Sequence, residues 1–94
     1  MKNTANQHLQ PITTKINNEN HLEIGGCDLV NLAKEYKTPL YIIDEETLRS
    51  ICKDYKRAFD SYENTVQFLY ASKALCTKAI FKIISSEGFG CDVV

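Results

Sequence analysis

Apolar side chains recur in a pattern that divides the chain into a silent start and a periodic remainder. Residues 1–20 are rich in Asn, Gln and Thr and hold no aromatic. Such a segment has little apolar surface to repay its ordering entropy, so a disordered tail is expected over 1–20. His-Leu-Glu-Ile at 21–24 alternates and runs into Gly25-Gly26, the signature of a short strand and a turn. Asp28 stands where an N-cap belongs, with Leu29, Leu32, Ala33 and Tyr36 following at helical spacing. Thr38-Pro39 ends that helix, because the residue before proline is pushed out of the helical region. The apolar run Leu40–Ile43 predicts a short buried strand.

Asp44 then caps a second helix, with Glu45 and Glu46 against its positive end. Leu48, Ile51, Cys52, Tyr55, Phe59 and Tyr62 form its apolar stripe, which carries the helix to about Tyr62. Val66–Ala71 is the next strand candidate. Ala79, Ile80, Ile83 and Ile84 predict a helix over 78–87, and Gly88 sits where a helix end wants left-handed backbone. Cys91–Val94 begins another apolar strand. Residues 21–44 thus read as a strand-helix-strand lead-in, and 45–94 as helix, strand, helix, strand. Two strands joined by a helix imply parallel pairing and an α/β class. One such unit cannot cover both faces of its own sheet, and the last apolar strand would be an unprotected edge. More chain is therefore expected beyond these 94 residues.

Composition narrows the function. The formal net charge is −1, with eleven Lys and Arg scattered among twelve acids, so no basic patch for nucleic acid is expected. No segment is long and apolar enough to span a membrane, and Met1–Asn20 holds no apolar run of the signal-peptide kind. Cys27, Cys52, Cys76 and Cys91 are far apart, and both histidines, His8 and His21, lie upstream of Cys27. That spacing predicts no zinc site, and the cysteines are expected to be reduced thiols in a cytoplasmic protein. Gly88-Phe-Gly90 follows a helix and lacks a third glycine, so it reads as a plain turn rather than a dinucleotide loop. Neither histidine is expected to do anything specific.

Tyr70-Ala71-Ser72-Lys73-Ala74 is the stretch that carries chemistry. Lys73 lies just past the predicted strand end, where parallel α/β barrels place their functional groups. A lysine there could be partly desolvated, and desolvation would favour the neutral amine that attacks an aldehyde. By position alone it is more simply a solvated loop residue.

Three blocks change that balance. Leu22-Glu-Ile-Gly-Gly-Cys-Asp-Leu29 is the first, and Leu32-Ala-Lys-Glu-Tyr-Lys-Thr-Pro-Leu-Tyr-Ile-Ile-Asp44 the second. The third is Tyr70-Ala-Ser-Lys-Ala74, followed by Glu87-Gly-Phe-Gly-Cys-Asp-Val-Val94. In order and spacing they resemble the N-terminal region of diaminopimelate decarboxylases, whose patterns are LAxxYGTPLYVYD, YAxKA and GxDVV. The resemblance spans residues 22–94. It implies the first β/α units of a TIM-type barrel that binds pyridoxal 5'-phosphate over 45–94, with 21–44 leading in from a β-rich domain.

It also implies that Lys73 forms the Schiff base with the cofactor, with Asp92 near it and Ala71 in the cofactor's neighbourhood. A strand-end aspartate that merely caps or solvates is the plainer role for Asp92. The implied activity converts meso-diaminopimelate to L-lysine and carbon dioxide in a cytoplasmic homodimer, with these 94 residues inactive alone. A related ornithine, arginine or carboxynorspermidine decarboxylase, a non-catalytic relative, and a small stand-alone α/β module are the alternatives. Two departures stand out: Lys37 replaces the usual glycine before Thr-Pro, and Leu75 replaces a common asparagine.

Overall fold

The computed structural model describes residues 6–93, which fall into two compact units, Met1–Thr47 and Leu48–Val94. The first unit is built on a three-stranded antiparallel meander of β1 (Lys15–Ile16), β2 (Leu22–Ile24) and β3 (Cys27–Asp28). Lys15 pairs with Glu23, and Glu23 in turn with Asp28. Gly25 and Gly26, at φ 60° and 79°, supply the left-handed backbone that turns β2 into β3.

Helix α1 (Leu29–Tyr36) starts on the expected cap, the side chain of Asp28 accepting from the backbone N–H groups of Val30 and Asn31. Desolvation pushes the Asp28 carboxyl up, but hydrogen bonds from Asn17, His21 and Asn31 outweigh it and hold the pKa at about 2.

Residues 6–20 differ from the expected tail; residues 1–5 of it lie outside the described residues. A 3-10 turn (Gln7–Leu9) and β1 form there. What orders them is polar bonding rather than apolar burial. Asn17 Oδ1 accepts from the N–H groups of Glu19 and His21, and Asn17 Nδ2 donates to Asp28 Oδ2 at 2.8 Å. Thr13 accepts from the Gly25 N–H and donates to Asp44 Oδ2. Desolvation raises the Asp44 carboxyl, and bonds from the Thr47 and Thr13 hydroxyls and the Thr47 N–H bring it below its ordinary value.

Leu40–Ile43 is not a strand, and Tyr41 and Ile43 are exposed. An extended apolar run becomes a strand only where a neighbour accepts its ladder, and none pairs with it among the described residues.

Helix α2 (Glu45–Ala58) carries Glu45 and Glu46 in its first turn. It ends four residues short of the expected Tyr62; Phe59 and Tyr62 lie on the following turns, their rings in an edge contact at 6.1 Å. In the second unit, β4 (Leu69–Ala71), a 3-10 turn (Ser72–Ala74), α3 (Lys78–Ser86) and β5 (Gly90–Asp92) follow. The strands are parallel, with Leu69 opposite Gly90, Tyr70 opposite Cys91 and Ala71 opposite Asp92. The expected β-α-β unit is therefore present, its strands shorter than the apolar runs that predicted them; Val94 lies outside the described residues.

Thr77 caps α3 by accepting from the Ile80 N–H. At the other end, Phe89 N–H reaches the Ile84 carbonyl and Gly88 N–H the Ser85 carbonyl, with Gly88 at φ 84°. That is a Schellman closure, completed by the apolar contact of Phe89 with the core around Ile84. The core itself is small: Cys52, Ile80 and Ile84, with Leu48, Tyr70, Phe89 and Cys91 packed against it.

Candidate active site

The C-terminal end of the β4–β5 pair gathers the sequence-predicted site residues. Parallel register places Ala71 and Asp92 side by side as the last residues of their strands. Lys73 follows two residues after Ala71, on the 3-10 turn. Ser72 is buried, and its hydroxyl donates to the Asp92 backbone carbonyl at 2.6 Å, which ties the turn to the end of the neighbouring strand. Tyr70 donates from its phenol to the Leu75 carbonyl at 2.8 Å and closes the turn from the other side. A hydroxyl-to-carbonyl hydrogen bond of this kind is worth roughly 1 kcal/mol net.

Lys73 is exposed, as a loop residue after a strand is expected to be by position alone, and Asp92 and Ala71 are exposed as well. Among the described residues no ion pair joins Lys73 to Asp92; the backbone brings them to one strand end. An accessible primary amine on a doubly tied turn, with a carboxylate on the adjacent strand, fits the attachment half of a carbonyl-bearing cofactor. Lys73 would hold such a group, and Asp92 would lie beside it.

Two contributors escaped the sequence reading. Ser72 was one of five residues in the chemical motif but carried no role, because its partner is a backbone carbonyl twenty positions away. Glu87 was noted only as part of a motif. It is 9% exposed and faces Arg49 at 2.9 Å, Lys56 at 3.5 Å and Lys53 at 3.9 Å. The hydrogen bond from Arg49 is the main cause that holds its carboxyl below the ordinary range; desolvation opposes it, and the charges of Lys53 and Lys56 assist. Lys56 also donates to the Glu87 carbonyl at 2.6 Å. The signal was present: Arg49, Lys53 and Lys56 recur at i, i+4 and i+7, one basic stripe along α2.

Comparison with known proteins gives the chain its kin. No protein-family model matches it. The diaminopimelate decarboxylase of Synechocystis sp. is 44% identical over 92 residues, which cover 97% of this chain and 20% of the relative. That of Bacillus methanolicus is 44% identical over 82 residues, 87% of this chain and 19% of the relative. The Bacillus subtilis enzyme of the same name is 43% identical over 82 residues, again 87% and 19%. The chain spans about one fifth of the length of the curated relatives it matches. On that similarity, which runs through nearly every described residue, the chain belongs to the diaminopimelate decarboxylase family as an N-terminal portion of it.

Proposed function

We propose that the protein carrying this chain decarboxylates meso-diaminopimelate to L-lysine and carbon dioxide, with pyridoxal 5'-phosphate attached to Lys73. One observation supports this above the family likeness: Lys73 follows the C-terminal end of β4, and the parallel register sets Asp92 at the same end of β5. Strand C-terminal ends are where parallel α/β folds assemble their sites.

Lys73 Nζ is the attachment point. Ser72 and Tyr70 hold the turn that carries it, so the amine departs from and returns to one place. Asp92 supplies a carboxylate at the same strand end, on the neighbouring strand. Ala71 ends β4 with only a methyl group and leaves space above the strand. The bound cofactor supplies an electron sink for the pair left behind as carbon dioxide departs.

The fold proposal goes with it. β4, α3 and β5 form the first units of a TIM-type barrel, and the strand-rich segment before α2 belongs with a β-rich domain. The complete protein is a cytoplasmic homodimer, and these 94 residues bind the cofactor weakly and do not turn over.

The test uses the longer protein. Lys73→Ala is expected to abolish both the visible absorbance of bound cofactor and carbon dioxide release from meso-diaminopimelate. Borohydride trapping and peptide mapping should recover the cofactor on the peptide that contains Lys73. Faster release from ornithine or arginine would move the assignment to a sister decarboxylase. Cofactor binding that ignores Lys73 would overturn the proposal.

A further inference from the structure

We propose that Glu19, His21 and Asp28, in the first unit, form a binding site for a divalent transition-metal cation of the zinc, cobalt or nickel class. Their ligand atoms converge within 4.8 Å of one another. His21 Nδ1 lies 2.8 Å from Asp28 Oδ2 and 3.6 Å from Glu19 Oε2. Nitrogen and oxygen ligands at ~2.0–2.2 Å from a tetrahedral ion are separated from each other by roughly 3.3–3.6 Å. The two spacings from His21 lie close to that edge, and the Glu19 and Asp28 oxygens are within 4.8 Å of each other, so the set closes around an ion by movement of Glu19. Glu19 is the adjustable member, its side chain 72% exposed, while Asp28 is the anchored one at 12%.

The division of labour on Asp28 strengthens the case. Its Oδ1 is committed to the N-cap, accepting from Val30 and Asn31. Its Oδ2 is turned to His21 and Asn17 and is the oxygen presented to the cluster. Metal binding replaces the proton between His21 Nδ1 and Asp28 Oδ2. On a neutral imidazole that proton moves to Nε2; on an imidazolium, Nε2 keeps its proton and the Nδ1 proton is released to solvent. Asn17 stays as an outer donor to the carboxylate, a role that orients metal ligands. One imidazole and two carboxylates select a transition ion over magnesium or calcium, which take all-oxygen sets, and water completes the shell. The cysteine-spacing rule could not find such a site, because two of its ligands come from the β1–β2 connection and the third from the end of β3. The bound ion would fasten the turn at residues 17–21 to the start of α1.

Cobalt(II) is the probe, titrated into the full chain under reducing, anaerobic conditions and followed by two-dimensional amide NMR. Paramagnetic broadening is expected to centre on residues 19–21 and 28, with Cys27→Ser and His8→Ala leaving the titration unchanged. His21→Ala should remove the binding, and Glu19→Gln should weaken it by about tenfold or more, the loss of one charged ligand. Because Glu19 is exposed, its variant reports on the site without touching the fold. Broadening centred on the cysteines or on His8, affinity indifferent to both His21→Ala and Glu19→Gln, or no broadening at millimolar cobalt would each overturn the proposal.

Discussion

Lys37 sits at φ 69° and ψ 172°, a backbone region that glycine enters freely and a side chain resists. The family pattern has glycine there, so the departure visible in the sequence falls on the residue that the fold strains. Non-glycine residues in such regions cost of order 1–3 kcal/mol, and part of the gain from glycine is lost to the freer unfolded chain. Lys37→Gly is therefore expected to stabilise by roughly 1 kcal/mol, read as a rise in the thermal midpoint. A fall would mean that the bond from Lys37 Nζ to the Lys34 carbonyl, at 3.3 Å, matters more than the strain. Single-residue roles were readable where the partner is local, as with the Asp28 cap. They were not where the partner depends on strand register. His21, dismissed from the sequence, meets Asp28 only because β2 and β3 fold back on each other.

The helices followed their apolar periodicity closely, with α1 and α3 ending within a residue or so of expectation. α2 stopped early because its stripe continues through residues that the chain uses for a turn: Phe59 and Phe68 meet at 5.7 Å off the helix. What periodicity does not reveal is how one helix end is fixed by another helix. Glu87, at the C-terminus of α3, gathers Arg49, Lys53 and Lys56 from α2, and Arg49 also reaches the Ser86 hydroxyl at 2.7 Å.

Because the folded Glu87 carboxyl titrates below its ordinary value of 4.5, the cluster stabilises the fold above that pH. The contribution is lost as pH falls through the folded pKa. Thermal midpoints of the wild type and Glu87→Gln measured against pH should differ most near neutrality, the wild type higher. They should converge as pH falls through the lowered folded pKa, below the ordinary value of 4.5. Parallel curves would show that Glu87 acts by packing alone.

Taken together, the chain shows its class more readily than its completion. The alternation of apolar runs with helical stripes foretold the parallel β4–α3–β5 unit. The order within residues 6–20 escaped because it rests on Asn17, Thr13 and their polar partners, which no hydropathy pattern registers.

The second unit also leaves apolar surface bare: Val93 is 74% exposed, and Leu69, 56% exposed, lines an open cleft with Ile51, Tyr55, Phe68 and Phe89. Parallel strands are ordinarily covered on both faces. If the longer protein supplies that cover, Leu69→Asp should have an effect that depends on length. In the 94-residue chain a surface substitution of this kind shifts stability by about 0.5 kcal/mol or less. In the longer protein the same carboxylate would be forced under apolar neighbours, at a cost of roughly 2 kcal/mol or more, seen as a lower denaturation midpoint or loss of soluble protein. Equal effects in both would mean that this face of β4 stays open to solvent in the longer protein as well.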